Sequence, residues 1–439
     1  MRYDGSMLRR ELGLRDLVLF NIAAVIGIRW LAAAAHAGPG SISLWLIAAA
    51  LFFVPSASVV AELSRRHPDE GGLYLWTRSA FGPWHGFLCG YCYWINNLFY
   101  FPSLVLAGVA MSVSLAGTGH AALAGDRVFV VGASIAAIAA ITAANALGLG
   151  VAKWIGNVGG AATYAAGAIL IAAATAVWWT QGPRTRFDIA PRLEWDKLNF
   201  WPQIAFAFGG LELSAFLGGE IRDAARNVRR AAWIGGTAIA LFYVAGTAAM
   251  LTILPSDRIS EVNGLTQAGE EASRVLGSPW PGLVLAVCVT LGVAGQLGAW
   301  MGGSARLPLV LGMDRYMPEA FARLHPRWGT PVLALAVQAA LCAVFLIAMQ
   351  LGDSMRTGYQ LLVDMTVITY FIPFLYLFLA GWKAGSRAAA ASGLFVTAAA
   401  ILLSFAPPGE TTSIWLFEAK LLGGTALLLA AARWWFVTR

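Results

Sequence analysis

The chain repeats one kind of segment, an apolar run of about 20 residues, and that length fits a helix crossing a lipid bilayer. Such runs fall near Leu17 to Ala35, Ser41 to Leu63, Pro83 to Ser114, Val128 to Leu147, Lys153 to Trp179 and Pro202 to Gly218. Others lie near Ala231 to Leu254, Gly282 to Arg306, Val332 to Gln350, Tyr359 to Trp382, Ala388 to Phe405 and Ser413 to Trp435. With 59% hydrophobic and 12% charged residues, the composition is far outside the range of soluble domains. The pattern predicts an all-α polytopic membrane protein of about 12 transmembrane helices, with no extramembrane segment large enough for a separate catalytic domain.

Charge placement then orients the chain. Residues 1–16 are polar and basic and run into the first span without the small-residue cleavage site of a signal peptide, so that span is expected to stay. With the N-terminus inside, most of the 30 Lys and Arg residues fall in inner loops, which predicts a cytoplasmic-membrane protein with both termini cytoplasmic. The net charge of +7 is thereby a feature of topology, and nucleic acid is not an expected partner. Inner clusters at Ser64 to Gly72, Glu220 to Arg230 and Asp314 to Arg327 read either as a snorkelling rim against lipid or as inner-gate ion pairs. The outer loop from Pro255 to Pro281 carries Glu261, Glu270 and Glu271 and can form a short surface helix. Cys89, Cys92, Cys288 and Cys342 all lie in apolar runs, where cysteine packs as a small hydrophobe. No metal site and no cofactor are expected. The loop from Leu115 to Arg127 has no cysteine, so no disulfide-linked heavy chain is expected either.

Two of the runs contain interruptions that a plain anchor would not tolerate. Phe206-Ala-Phe-Gly-Gly-Leu-Glu212 places a glycine pair and a carboxylate inside an apolar stretch, and Val25-Ile-Gly-Ile-Arg-Trp30 places a glycine and a guanidinium in the first span. Each glycine costs a helix roughly 1 kcal/mol relative to alanine, and each charge at bilayer depth roughly 2.5 to 3.5 kcal/mol on insertion scales. Glycine-broken spans at matching places in two halves of a chain point to a secondary transporter whose site forms where the helices unwind. There, unpaired N–H groups attract a carboxylate and unpaired C=O groups an ammonium or sodium ion.

Several motifs carry a family likeness. Gly71-Gly-Leu-Tyr-Leu-Trp76, Phe81-Gly-Pro-Trp84, the Phe206 to Glu212 stretch, Glu220-Ile-Arg-Asp223 and the stretch from Ala305-Arg306 to Thr330-Pro331 resemble the amino acid/polyamine/organocation superfamily of permeases. The segment from Trp300 to Ala322 is especially similar to glutamate/GABA-antiporter-like members. The resemblance implies two inverted five-helix repeats, at 17–179 and 202–382, with broken helices 1 and 6, plus two further helices at 388–435. It also implies secondary active transport of amino acids or related amines by alternating access, with substrate held at Ile26, Gly27 and Ile28 of the first break and Phe206, Phe208, Gly209 and Gly210 of the second. The sequence departs from the family's Gly-small-Gly first break by having Arg29. Where proton-coupled members carry a lysine in the fifth span, this chain aligns Thr163.

Other polar residues in the spans leave their roles open. Glu212 can cap the second half-helix or meet a substrate cation. Asn96 and Asn97 point about 100° apart on one helix, so at most one is expected to face the pathway. Gln296 can line the site or join two helices. For Arg29 the candidate partners are Glu212, Asp364 or a substrate carboxylate, and its fixed charge can otherwise stand in for a sodium ion. An enzyme is not expected, because no nucleophile, base and metal constellation is present. A permease-fold sensor remains the competing reading. The topology predicts that Ser260→Cys is labelled by an impermeant thiol reagent from outside intact cells, and labelling from the cytoplasmic side alone would invert the orientation.

Overall fold

Both glycine interruptions open as breaks in helices. In the computed structural model, which describes residues 12–67, 72–116, 118–190, 200–261, 263–350, 355–406 and 414–438, the first span is α1 (Leu14–Val25) and α2 (Arg29–His36). Most of the basic N-terminal segment, residues 1–11, lies outside the described residues, as do 68–71 of the first inner cluster. The second span joins α3 (Ser41–Ala48) to α4 (Val54–Arg66) through a wide π turn at Ala49–Phe53. Short α5 (Gly72–Phe81) leads to α6 (Pro83–Ser112), α7 (Arg127–Ala146) and α8 (Leu149–Gln181). The sixth span is α9 (Phe200–Ala207), continued beyond its break by a 3-10 segment over Leu211–Glu220. Then come α10 (Ala224–Ile253), α11 (Gly264–Val275), α12 (Trp280–Ser304), α13 (Arg306–Met313), α14 (Val332–Gln350), α15 (Met355–Lys383), α16 (Arg387–Leu403) and α17 (Ile414–Val437). Helix α11 lies in the loop where a surface helix was expected.

Among the described residues, eight helical stretches are long and apolar enough to cross a membrane. Two shorter apolar helices, Val332–Ala348 and Arg387–Leu403, and the two broken spans complete the transmembrane set among the described residues. Helices α6 and α15 are buried along most of their length and form the centre, whereas α17 faces outward. Large apolar side chains such as Trp179, Leu241, Phe395 and Trp415 are exposed on the outer helices, as a lipid-facing surface requires.

Lipid tails are as apolar as leucine, so the inner helices are held by close packing rather than by the hydrophobic effect alone. Small residues provide it. A Cβ on Gly159 of α8 would lie 2.4 Å from the Gly295 Cα of α12, and one on Gly292 would meet Thr163 Oγ1 at 2.6 Å. The Phe53 ring likewise sits where a Cβ on Gly236 of α10 would be, at 1.9 Å.

Polar contacts tie the loops at each end. At one end His36 Nδ1 lies 2.7 Å from the Ile259 carbonyl, and Nε2 lies 3.4 Å from Glu261. At the other, Arg78 of α5 donates to Asp314 at 2.5 Å, and Tyr74 donates to the same carboxylate. Burial, and then Asp314, push the Tyr74 phenol well above its ordinary range, so it stays a donor at any physiological pH.

The α8–α12 contact leads to a test. Gly295→Val forces these helices apart, at a cost of about 1 to 3 kcal/mol for overpacking. Its thermal midpoint in detergent is expected to fall, while Gly423→Val, which meets nothing within 4 Å, leaves the midpoint unchanged. Equal behaviour of the two variants would remove this contact from the packing argument.

Candidate functional site

A helix that ends inside a membrane leaves its last carbonyls without partners, and here neighbouring helices supply donors for them. Trp300 Nε1 of α12 donates to Ala24 O at 2.7 Å. Gln296 Nε2, one turn earlier, donates to Ile26 O at 3.1 Å. The Tyr243 hydroxyl of α10 lies 2.8 Å from Val25 O and 3.0 Å from Ala207 O, and it accepts the Gly27 N–H at 3.1 Å. A single phenol therefore joins the end of α1, the start of the first break and the end of α9. Its ring is stacked on Trp45 at 4.3 Å between centroids, which fixes the hydroxyl's position.

The second break is held by Glu212. Its Oε2 accepts the Gly210 N–H at 3.1 Å, where Gly210 adopts φ +117°, a conformation side chains rarely take. Its Oε1 accepts the hydroxyls of Tyr93 from α6 at 2.7 Å and Tyr370 from α15 at 2.5 Å. The carboxylate thus ties three elements together, and it shares no hydrogen-bond partner with Arg29.

Arg29 opens α2 and is 2% exposed. Its Nη1 donates to Ser103 Oγ at 3.1 Å, and its guanidinium carbon stands 4.2 Å from the Trp30 ring centroid and 5.2 Å from that of Tyr100. Nε and Nη2 are buried and make no hydrogen bond of good geometry among the described residues, although the Tyr359 hydroxyl of α15 also lies close to the guanidinium. Asn96 on α6 is also fully buried with both amide atoms unpartnered, whereas Asn97 turns its Nδ2 back to Tyr93 O at 2.8 Å. Tyr93, Asn96, Tyr100 and Ser103 follow one another at spacings of three and four and so share one face of α6. The unsatisfied atoms of Asn96 and the bonded hydroxyl of Ser103 belong to that face.

Aromatic rings fill the space between the breaks. Phe206 packs edge-on against Trp30 and Tyr370, with centroids 5.7 and 4.9 Å away, and Trp300 lies 5.2 Å from Tyr100. Phe208 points the other way, into Trp45, Phe53 and Tyr243, and acts as packing behind the break.

The residues read from the sequence are brought together at the two breaks: Gly27, Ile26, Ile28 and Arg29 from the first, and Phe206, Gly209, Gly210 and Glu212 from the second. Gln296 joins helices by capping the first break. Asp364 is held by Gln360 on its own helix at 3.1 Å, with its other oxygen unpartnered. Neither it nor Glu212 is bonded to Arg29. Thr163 donates to Gly159 O on its own helix at 3.0 Å. Sequence reasoning missed Tyr93, Tyr243, Trp300 and Tyr370. The available signal was chemical, since a tyrosine or tryptophan buried in an apolar span needs a partner for its O–H or N–H.

Comparison with known proteins places this geometry. The profile described as "Amino acid permease" matches residues 12–423. An uncharacterized transporter of Legionella pneumophila is 26% identical, with 96% of this chain and 95% of the relative aligned. An uncharacterized transporter of Mycobacterium tuberculosis is 28% identical over 76% of this chain and 73% of its own length. The serine/threonine exchanger of Bacillus subtilis is 25% identical over 86% and 85%.

A side chain at Gly209 tests the second break. Its Cβ would lie 2.4 Å from the Tyr370 ring and hydroxyl, so Gly209→Leu displaces a phenol that anchors Glu212. Substrate affinity is expected to fall by more than about tenfold, equivalent to about 1.4 kcal/mol, with insertion into the membrane preserved. Unchanged affinity would separate this break from the site.

Proposed function

Because the chain belongs to the amino acid permease family, we propose that it is a secondary active transporter of amino acids or related amines, working by alternating access without sodium. In this reading spans one to five, 17–179, and six to ten, 202–382, are inverted repeats, and the helices at 388–435 stand outside them. Exchange is the mode that the name of the Bacillus relative favours. The protein would lie in the cytoplasmic membrane with both termini inside.

The observation that carries the proposal is the half-satisfied Arg29 guanidinium beside the first break. A buried cation with Nε and Nη2 open presents the edge that holds a carboxylate through two parallel hydrogen bonds. The backbone donors that would otherwise serve are partly occupied, Gly27 N by Tyr243 and Gly210 N by Glu212. An ammonium finds its complement in the Phe206 ring and in the Glu212 carboxylate.

The same inventory supports the sodium-independent reading. A sodium ion needs several oxygen ligands, and the carbonyls at the end of α1 already accept from the N–H groups of Trp300 and Gln296. The guanidinium adds a fixed positive charge nearby.

Counterflow in proteoliposomes tests both parts. The parent is expected to exchange labelled amino acid equally well in sodium and in choline buffers. Arg29→Lys keeps the charge and loses the fork, which is expected to weaken substrate by about tenfold, or about 1.4 kcal/mol, and Arg29→Ala by more. Variants that match the parent would remove Arg29 from the site, and sodium-dependent uptake would defeat the ion-replacement argument.

A further inference from the structure

At the end of the bundle that carries α5 and α13, a groove of about 960 Å³ opens between α4, α10 and the start of α16. Its charged lining is Glu62 and Arg65 from α4, with Asp223, Arg226, Arg229 and Arg230 at the start of α10. Glu62 is already engaged, accepting from Arg65 at 2.8 Å and from Arg66 at 2.6 Å. No carboxylate among the described residues lies within ion-pair distance of Arg226, Arg229 or Arg230, although Asp223 shares the groove wall. The preference for basic residues on one side of a membrane explains the sign of these charges. It does not explain why three arginines without acidic partners converge on one concave surface.

The depth of the groove identifies its occupant. Trp233 borders it and is 42% exposed, and Ile234 beside it is 53% exposed. Three residues of helix separate Arg230 from Trp233, a rise of about 4.5 Å. In the second span the exposed Leu51 of the π turn and Val54 of α4 lie two to three turns before Glu62, and on α16 the exposed Phe395 follows Ser386 in the same sense. Three lipid-facing surfaces therefore meet their polar ends at this groove, so its arginines stand at the level where lipid phosphates lie. We propose that the groove is a binding site for the headgroup of an anionic phospholipid. The phosphate bridges Arg226, Arg229 and Arg230 through forked hydrogen bonds, and an acyl chain runs along Trp233 and Ile234. The site is separate from the helix breaks, but it is built on α10, whose Tyr243 joins them.

The full chain, purified and delipidated in detergent, provides the test. Native mass spectrometry and thermal unfolding are measured with phosphatidylglycerol, phosphatidylcholine or soluble glycerol phosphate. Phosphatidylglycerol alone is expected to stay bound and to raise the unfolding midpoint by several degrees. R226Q/R229Q/R230Q is expected to lose about a hundredfold in apparent affinity for it, at about fivefold per arginine. R315Q/R323Q/R327Q removes the same charge from the same end and is expected to keep it. If the triple variant does not fold, R230Q alone is expected to lose about fivefold. Retention by the groove variants, equal loss in the control, or an equal shift with glycerol phosphate would each overturn the lipid assignment.

Discussion

Hydrogen bonding at the ends of broken helices is the constraint on which this structure depends. In hydrocarbon an unpaired backbone group costs several kcal/mol, so unwinding a span is tolerated only where other groups reach the freed atoms. Here the Tyr243 hydroxyl touches both breaks, Trp300 and Gln296 cap the carbonyls of α1, and Glu212 takes the N–H of Gly210. Because these donors and acceptors come from α10, α12 and the sixth span itself, the breaks persist only while those elements keep their relative positions. A shift of α10 against either half-helix exchanges the partners of three backbone groups at once.

Close packing provides the positional accuracy that such bonds require. Gly159 against Gly295 and Gly236 against Phe53 let backbones or rings approach to distances that any side chain would forbid. The result places Gln296 and Trp300, on the same helix as Gly295, within reach of α1. The glycines of α12 and the capping of the first break are thus parts of one arrangement, in which small residues set the distance and polar side chains use it.

Arg29 gives the site its particular chemistry. A glycine at that place would leave backbone available, whereas arginine brings a permanent charge to a residue only 2% exposed to solvent. Ser103 and two aromatic faces satisfy part of the guanidinium, and the two carboxylates in neighbouring spans are bound elsewhere. The family relationship speaks for transport, and this cation distinguishes how the present chain would hold what it carries.

Much of the architecture is determined by the sequence alone. Apolar runs of bilayer length specify spanning helices because the backbone has no other way to satisfy its polar groups in lipid. Gly27 and the Gly209-Gly210 pair mark the breaks because no other local feature makes a helix so easy to interrupt. The position of Glu212 beside its break was legible from spacing. Which residues close those breaks was decided by tertiary structure. Tyr243 is 216 positions from Gly27, and Trp300 is 276 from Ala24, so no local pattern links them. Arg29's partners were likewise hidden: charge alone favoured Glu212 or Asp364, but packing delivered two tyrosine hydroxyls to Glu212 and a serine and two rings to Arg29. A hydrogen bond needs its atoms within about 3 Å. Helix spacing in sequence sets the faces on which such atoms lie, and only the packing of one helix on another brings them to that distance.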